Sequence, residues 1–185
     1  MKKLILLVCY LNAVTALAHD TDKAYYKVLE NDTETIIHAK FPWTLRKSVL
    51  KFKPTLKNTK DTTAFENGFF EYVEYHLIVK NLKGEVLPLK SVKVLPTENR
   101  SHQSDYQFTF DGLGAESIKN SMMFNVKSNH KNIHKVSKDN YKESYITTAD
   151  IPVIQLTIKD QQSNWWLILL IGSVLFIYVL ISRKR

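Results

Sequence analysis

The chain has 185 residues, 44% of them hydrophobic, with 26 Lys and Arg against 18 Asp and Glu and a single cysteine, Cys9. One cysteine, lying in an apolar leader, excludes disulfides and thiolate metal sites in the rest of the chain, which must hold by packing alone. Five of the basic residues (Lys2, Lys3, Arg183, Lys184, Arg185) belong to the two ends, leaving about +3 between them with lysines interleaved among acids, a pattern that argues against nucleic-acid binding.

Residues 1–18 read as a secretory signal. Lys2 and Lys3 precede the apolar run Leu4 to Leu17, and Ala16-Leu17-Ala18 forms a small-x-small cleavage site. An uncleaved signal anchor is the alternative, and a lipoprotein reading through Cys9 is weakened by Val8, which is not small. Residues 19–158 then form one extracytoplasmic domain, 159–164 a short polar linker, 165–181 a transmembrane helix and 182–185 a basic cytoplasmic tail. The span Trp165–Ile181 holds 17 residues without a charge, about 25 Å of helix and just under the hydrocarbon thickness. Trp165 and Trp166 fit an interfacial belt, and the terminal Arg183, Lys184 and Arg185 mark the cytoplasmic side. The expected location is a bacterial inner membrane, crossed once.

Within the domain, Ala24–Leu29 and Thr33–Phe41 flank the polar turn Glu30-Asn31-Asp32 and predict a hairpin. Thr35, Ile37, Ala39 and Phe41 should share its buried face. Leu45, Val49 and Phe52 predict a short helix begun at Thr44 and stopped by Pro54, and 57–63 reads as an exposed loop. Phe65, Phe69, Val73 and Leu77 recur at helical spacing, with Glu71 and Glu74 on the wet face. A second hairpin runs from Leu77 and Val79 to Val86, Leu87 and Leu89 across Asn81–Gly84, followed by a short strand over Val92–Leu95.

Tyr106, Phe108 and Phe110 alternate with polar residues in the clearest strand, which Asp111–Gly114 turns. Ile118, Met122, Phe124 and Val126 predict one parity of the next strand, 128–134 a loop, and 141–148 and 151–158 the last two strands. Seven to nine short strands with one or two helices predict a mainly β domain. A β-sandwich is the expected architecture, with the immunoglobulin arrangement one candidate. An α+β sheet packed by the helices is the alternative.

Catalytic signatures are sparse. There is no Gly-x-Ser-x-Gly elbow, no phosphate-cradling glycine loop and no Cys–His pair, so the chain is read as a non-enzyme. Cleavage after Ala18 would put a free α-amino group beside the imidazole of His19. That chelating pair suits copper and resembles the histidine brace of copper-handling periplasmic β-sandwich proteins. His130 and His134 stand four apart and are the further metal candidates, although the glutamate a zinc protease needs after the first histidine is missing. His38, His76 and His102 read as ordinary surface or partly buried histidines, and Met122 and Met123 as core rather than a Cu(I) site. Asn31-Asp32-Thr33 and Asn99-Arg100-Ser101 match a glycosylation pattern that matters only in a eukaryotic source.

Behind His19, the segments Tyr25-Tyr26-x-x-Leu29, Phe70-x-x-Val73-x-x-x-Leu77-x-Val79 leading to Gly84 and Leu87, Phe108-x-Phe110, and Ile118 to Phe124 followed by Asn129-His130-Lys131-Asn132 form a scattered pattern. It resembles the periplasmic domain that precedes the membrane part of HupE/UreJ-type metal permeases. One anchor replaces the polytopic permease here. The resemblance implies an accessory domain working beside a metal or small-molecule transporter and transfers no ligand residue. The expected function is thus a non-catalytic, membrane-anchored domain that binds a membrane-protein partner, with a copper or divalent-metal module centred on His19 as the alternative.

Overall fold

The structure is a computed structural model that describes residues 22–96, 103–138 and 141–156. The signal, His19, His102, the linker and the span Trp165–Ile181 lie outside the described residues. Among the described residues no helix is long and apolar enough to cross a membrane.

The domain is mainly β, with half of the described residues in strands, two sheets and two α-helices. The strands are β1 (Lys23–Glu30), β2 (Glu34–Pro42), β3 (Leu77–Asn81), β4 (Val86–Leu87), β5 (Leu89–Leu95), β6 (Gln103–Asp111), β7 (Ala115–Asn120), β8 (Lys131–Lys138), β9 (Tyr141–Thr147) and β10 (Val153–Gln155). Helix α1 is Leu45–Phe52 and α2 is Thr62–His76. One sheet has six strands in the order β5-β6-β2-β1-β8-β9, and the other has four in the order β10-β7-β3-β4. This is not the A-B-E-D against C-F-G order of the immunoglobulin sandwich, and β1 and β8 run parallel.

The first hairpin forms as the alternation requires. Asn31 Oδ1 accepts from the backbone N–H groups of Thr33 and Glu34 and closes the turn. Thr35, Ile37, Ala39 and Phe41 all face the core. Helix α1 buries Leu45 and Val49 and stops before Pro54, which opens a 3₁₀ turn, Pro54–Asn58, that buries Leu56. Helix α2 starts at Thr62, where the side chain of Asp61 accepts from the Thr63 N–H at 2.9 Å, and it buries Phe69, Tyr72 and Val73.

Core residues from both sheets and both helices form one cluster. Tyr26, Phe41, Phe108, Phe69 and Tyr72 meet mainly edge-on or tilted, with Tyr26 and Phe41 5.6 Å apart and Phe69 6.3 Å from Phe108. Leu77, Val79, Ile118, Ile154 and Leu156 bring the four-stranded sheet into the same core.

Four sequence expectations are corrected. Leu89 belongs not to the second hairpin but to β5 in the other sheet, because Pro88, without an N–H, breaks the edge between β4 and β5. The strand expected over Ile118–Val126 ends at Asn120. Met122 and Met123 are both fully buried in the turn that follows, where Met123 adopts φ 71°. The loop expected over 128–134 holds only to His130, and from Lys131 the chain is β8, whose polar residues are accepted because they pair with β1 on one side and β9 on the other. The final strand shrinks to Val153–Gln155.

Candidate functional site

The six-stranded sheet has two faces, and each gathers polar side chains from distant parts of the chain. On the inner face, β8 carries Asn132 and His134 into the core, with His130 buried just before the strand. The parallel register sets Ala24 beside Asn132 and Tyr26 beside His134, and the Tyr26 and His134 rings stack at 4.8 Å. Tyr26 Oη donates to Asn132 Oδ1 at 3.2 Å. Asn132 Nδ2 donates to Asn120 Oδ1 and to the Met122 carbonyl, each at 3.2 Å. Asn120 Oδ1 also accepts the Met122 N–H at 3.0 Å.

Asn120 Nδ2 and Thr147 Oγ1 both lie 3.4 Å from His134 Nε2. Because Asn120 Nδ2 is a donor, Nε2 is the accepting nitrogen and the proton sits on Nδ1. Nδ1 has no hydrogen-bond partner among the described residues. Burial pushes the His134 pKa down to about 3, so the ring is neutral at ordinary pH. Burial likewise holds the Tyr26 phenol well above its usual value, against a smaller lowering by Asn120. Asn120 lies on the four-stranded sheet and the other members on the six-stranded one, so the network joins the two sheets across the core.

A second buried set fixes the loop after β7. Tyr72 Oη accepts the Met123 N–H at 2.8 Å and bonds Ser48 Oγ at 2.7 Å. Ser48 also bonds Asn125, whose Nδ2 donates back to the Ser48 carbonyl. Burial drives the Tyr72 phenol up to about 12.

These placements redistribute the metal candidates. His130 and His134 lie on an extended segment with Asn132 between them, not one turn apart on a helix, so four residues put up to about 13 Å of chain between them. His19 and His102 lie outside the described residues. His38 is on the outer face of β2, 3.3 Å from Gln107 Oε1. His76 closes α2, bonds Ser121 Oγ at 2.8 Å, and has its pKa lowered to about 4 by burial, with Lys119 adding to the shift. Among the described residues no three His, Cys, Asp or Glu side chains gather as a metal site. The copper reading therefore rests on His19. Glu71 and Glu74 are exposed on α2, Glu71 in an ion pair with Lys53 at 2.6 Å.

The outer face of the six-stranded sheet holds what the sequence reading missed. Residues directly opposite one another across β8, β1, β2, β6 and β5 are Lys135, Lys27, His38, Gln107 and Lys93. At about 4.8 Å per strand they form one row of nearly 20 Å. The neighbouring row, two residues along, reads Ile133, Tyr25, Lys40, Asp105 and Leu95. Between these rows lies an open groove of about 360 Å³, lined by Tyr25, Lys27, His38, Lys40, Asp105 and Lys135, with Leu95, Pro96 and Tyr106 at one end. Lys40 lies 3.7 Å from Asp105, whereas Lys27 and Lys135 have no ion-pair partner among the described residues. The signal was present in the sequence as Lys-x-Tyr-x-Lys at 23–27 and Lys-x-Ile-x-Lys at 131–135, but it reads as one patch only if 131–138 is a strand beside β1.

A smaller hollow of about 220 Å³ lies beside exposed Trp43, between α1 and α2, where Arg46 covers the Phe65 ring at 4.6 Å. The fold and these surfaces define a mainly β domain with a polar core joint and a basic, partly aromatic outer groove. No family model matches the chain, and no curated protein matches it either.

Proposed function

We propose that the chain is a non-catalytic, membrane-anchored binding protein of the bacterial envelope. A β-sandwich ectodomain is held at the bilayer by Trp165–Ile181, and it recognises a membrane-protein partner through the outer face of the six-stranded sheet. The observation that carries this reading is the groove between Tyr25 and the Lys27–Lys135 pair. Like charges set directly opposite each other in a sheet cost stability, so a pair with no ion-pair partner among the described residues is better explained by recognition than by folding. The inner polar groups, by contrast, are occupied in joining the sheets. The resemblance to the domain of HupE/UreJ-type permeases supports a transport protein as that partner, and a six-residue linker supports one in the same membrane.

The test places a photo-cross-linking amino acid in the full chain, in its own membrane, at Lys27 on the proposed face or at Lys119 on the four-stranded sheet. An adduct to a membrane protein from position 27, absent from position 119 and lost with Lys135→Glu, is the expected result. Equal adducts from both positions, or none from position 27, would overturn the reading.

A further inference from the structure

We infer that the outer groove is a site for a small phosphate monoester carried on a flat ring, of the size of a mononucleotide. This rests on the reading of that face as the recognition surface and adds the chemistry of what it takes. The groove's volume of about 360 Å³ falls in the range of small-ligand pockets. Its two ends differ in kind. Tyr25 lies in one cross-strand row, followed by Lys40, Asp105 and Leu95, and the Lys27–Lys135 pair lies in the next, about 6.6 Å away along the strands.

Tyr25 is half-buried, so its ring is held as a platform instead of swinging free. Lys27 and Lys135 are exposed, opposite each other across the parallel β1–β8 pair. A dianionic phosphate between two ammonium groups removes their mutual repulsion and gains charge-assisted hydrogen bonds. His38 flanks Lys27 from β2 and lines the same side of the groove. At the ring end the Asp105 carboxylate, 3.7 Å from Lys40 Nζ, can accept from an amine or hydroxyl of the ligand body. A bare anion would leave Tyr25 without a role, and a neutral ring would leave the lysine pair uncompensated.

The experiment measures binding of adenosine 5′-monophosphate, adenosine and inorganic phosphate to the full chain in detergent by calorimetry, with Lys27→Gln, Lys135→Gln and Tyr25→Leu beside the unaltered protein. The expected result is binding of the monophosphate that weakens with added salt. Each lysine substitution should weaken it about tenfold, and Tyr25→Leu should weaken it about fivefold or more by loss of stacking. Adenosine or inorganic phosphate binding as tightly as the monophosphate would overturn the proposal, as would unchanged affinity in the lysine variants or no binding at millimolar ligand. Unaltered circular dichroism of each variant separates lost binding from lost fold. Failure here with the position-27 cross-link intact removes the ligand class and leaves the recognition face; failure of both removes both.

Discussion

The two faces of the six-stranded sheet carry polar side chains under opposite rules. On the inner face Tyr26, Asn132, His134 and Thr147 are fully or nearly fully buried, and burial of a polar group is tolerated only when it is hydrogen-bonded. Each of these four therefore takes a partner, and the bonds run across to Asn120 of the opposite sheet. On the outer face Lys27, Lys135 and Lys93 stay in water, where an unpaired ammonium costs little. Nothing in folding requires them to be there. Polar residues inside are thus accounted for by the joint they make, and polar residues outside are open to selection for binding.

The sharpest way to break that comparison is Asn132→Leu. It removes the hub of the inner network and leaves the Tyr26 hydroxyl and Met122 carbonyl without their partner, so chemical denaturation should show a loss of about 4 kcal/mol. A loss under about 1 kcal/mol would mean the joint is not stabilising.

Next in size is a pH effect. His134 has its pKa lowered to about 3 in the fold, so between its ordinary value of 6.5 and 3 the unfolded state binds the proton that the folded state refuses. Stability is therefore full above pH 6.5 and falls as pH drops through that window, by roughly 3 kcal/mol between pH 7 and pH 4. His76 acts in the same direction down to about 4, less strongly because it is only half-buried. Unfolding curves taken across this range should show the decline, and His134→Gln should flatten most of it.

Smaller again is Tyr72→Phe, which strips the acceptor from the Met123 N–H and the partner from Ser48. A cost of about 1.5 kcal/mol is expected, with loosening of the turn over 121–127 seen as faster amide exchange there. At the low end, Lys135→Gln should raise stability by about 0.3 kcal/mol by relieving the repulsion with Lys27. A drop in stability would show that the outer lysines serve the fold after all.

Much of this architecture was legible in the residues. The β1–β2 hairpin, both helices and the Tyr106–Phe110 strand follow from alternation, helical spacing, Asp61 and Pro54, which are local signals. Strand β8 was not legible. Asn129, Asn132, His134 and three lysines look like a loop by propensity, and only the neighbouring β1 and β9 supply the ladder bonds and the partners that make Asn132 and His134 acceptable in a core. The outer groove was lost with it, since Lys135, the partner of Lys27 in its basic row, comes from that strand.

The sequence by itself determined the mainly β class, the β1–β2 hairpin with its buried face, both helices and the absence of cysteine from the domain, because each depends on composition or on neighbours a few residues away. Tertiary structure alone decided the parallel pairing of β1 with β8, the joint from Tyr26 through Asn132 to Asn120, and the meeting of Lys27 with Lys135. Those depend on contacts between residues more than a hundred positions apart or across two sheets, and burial and register, not local preference, select them.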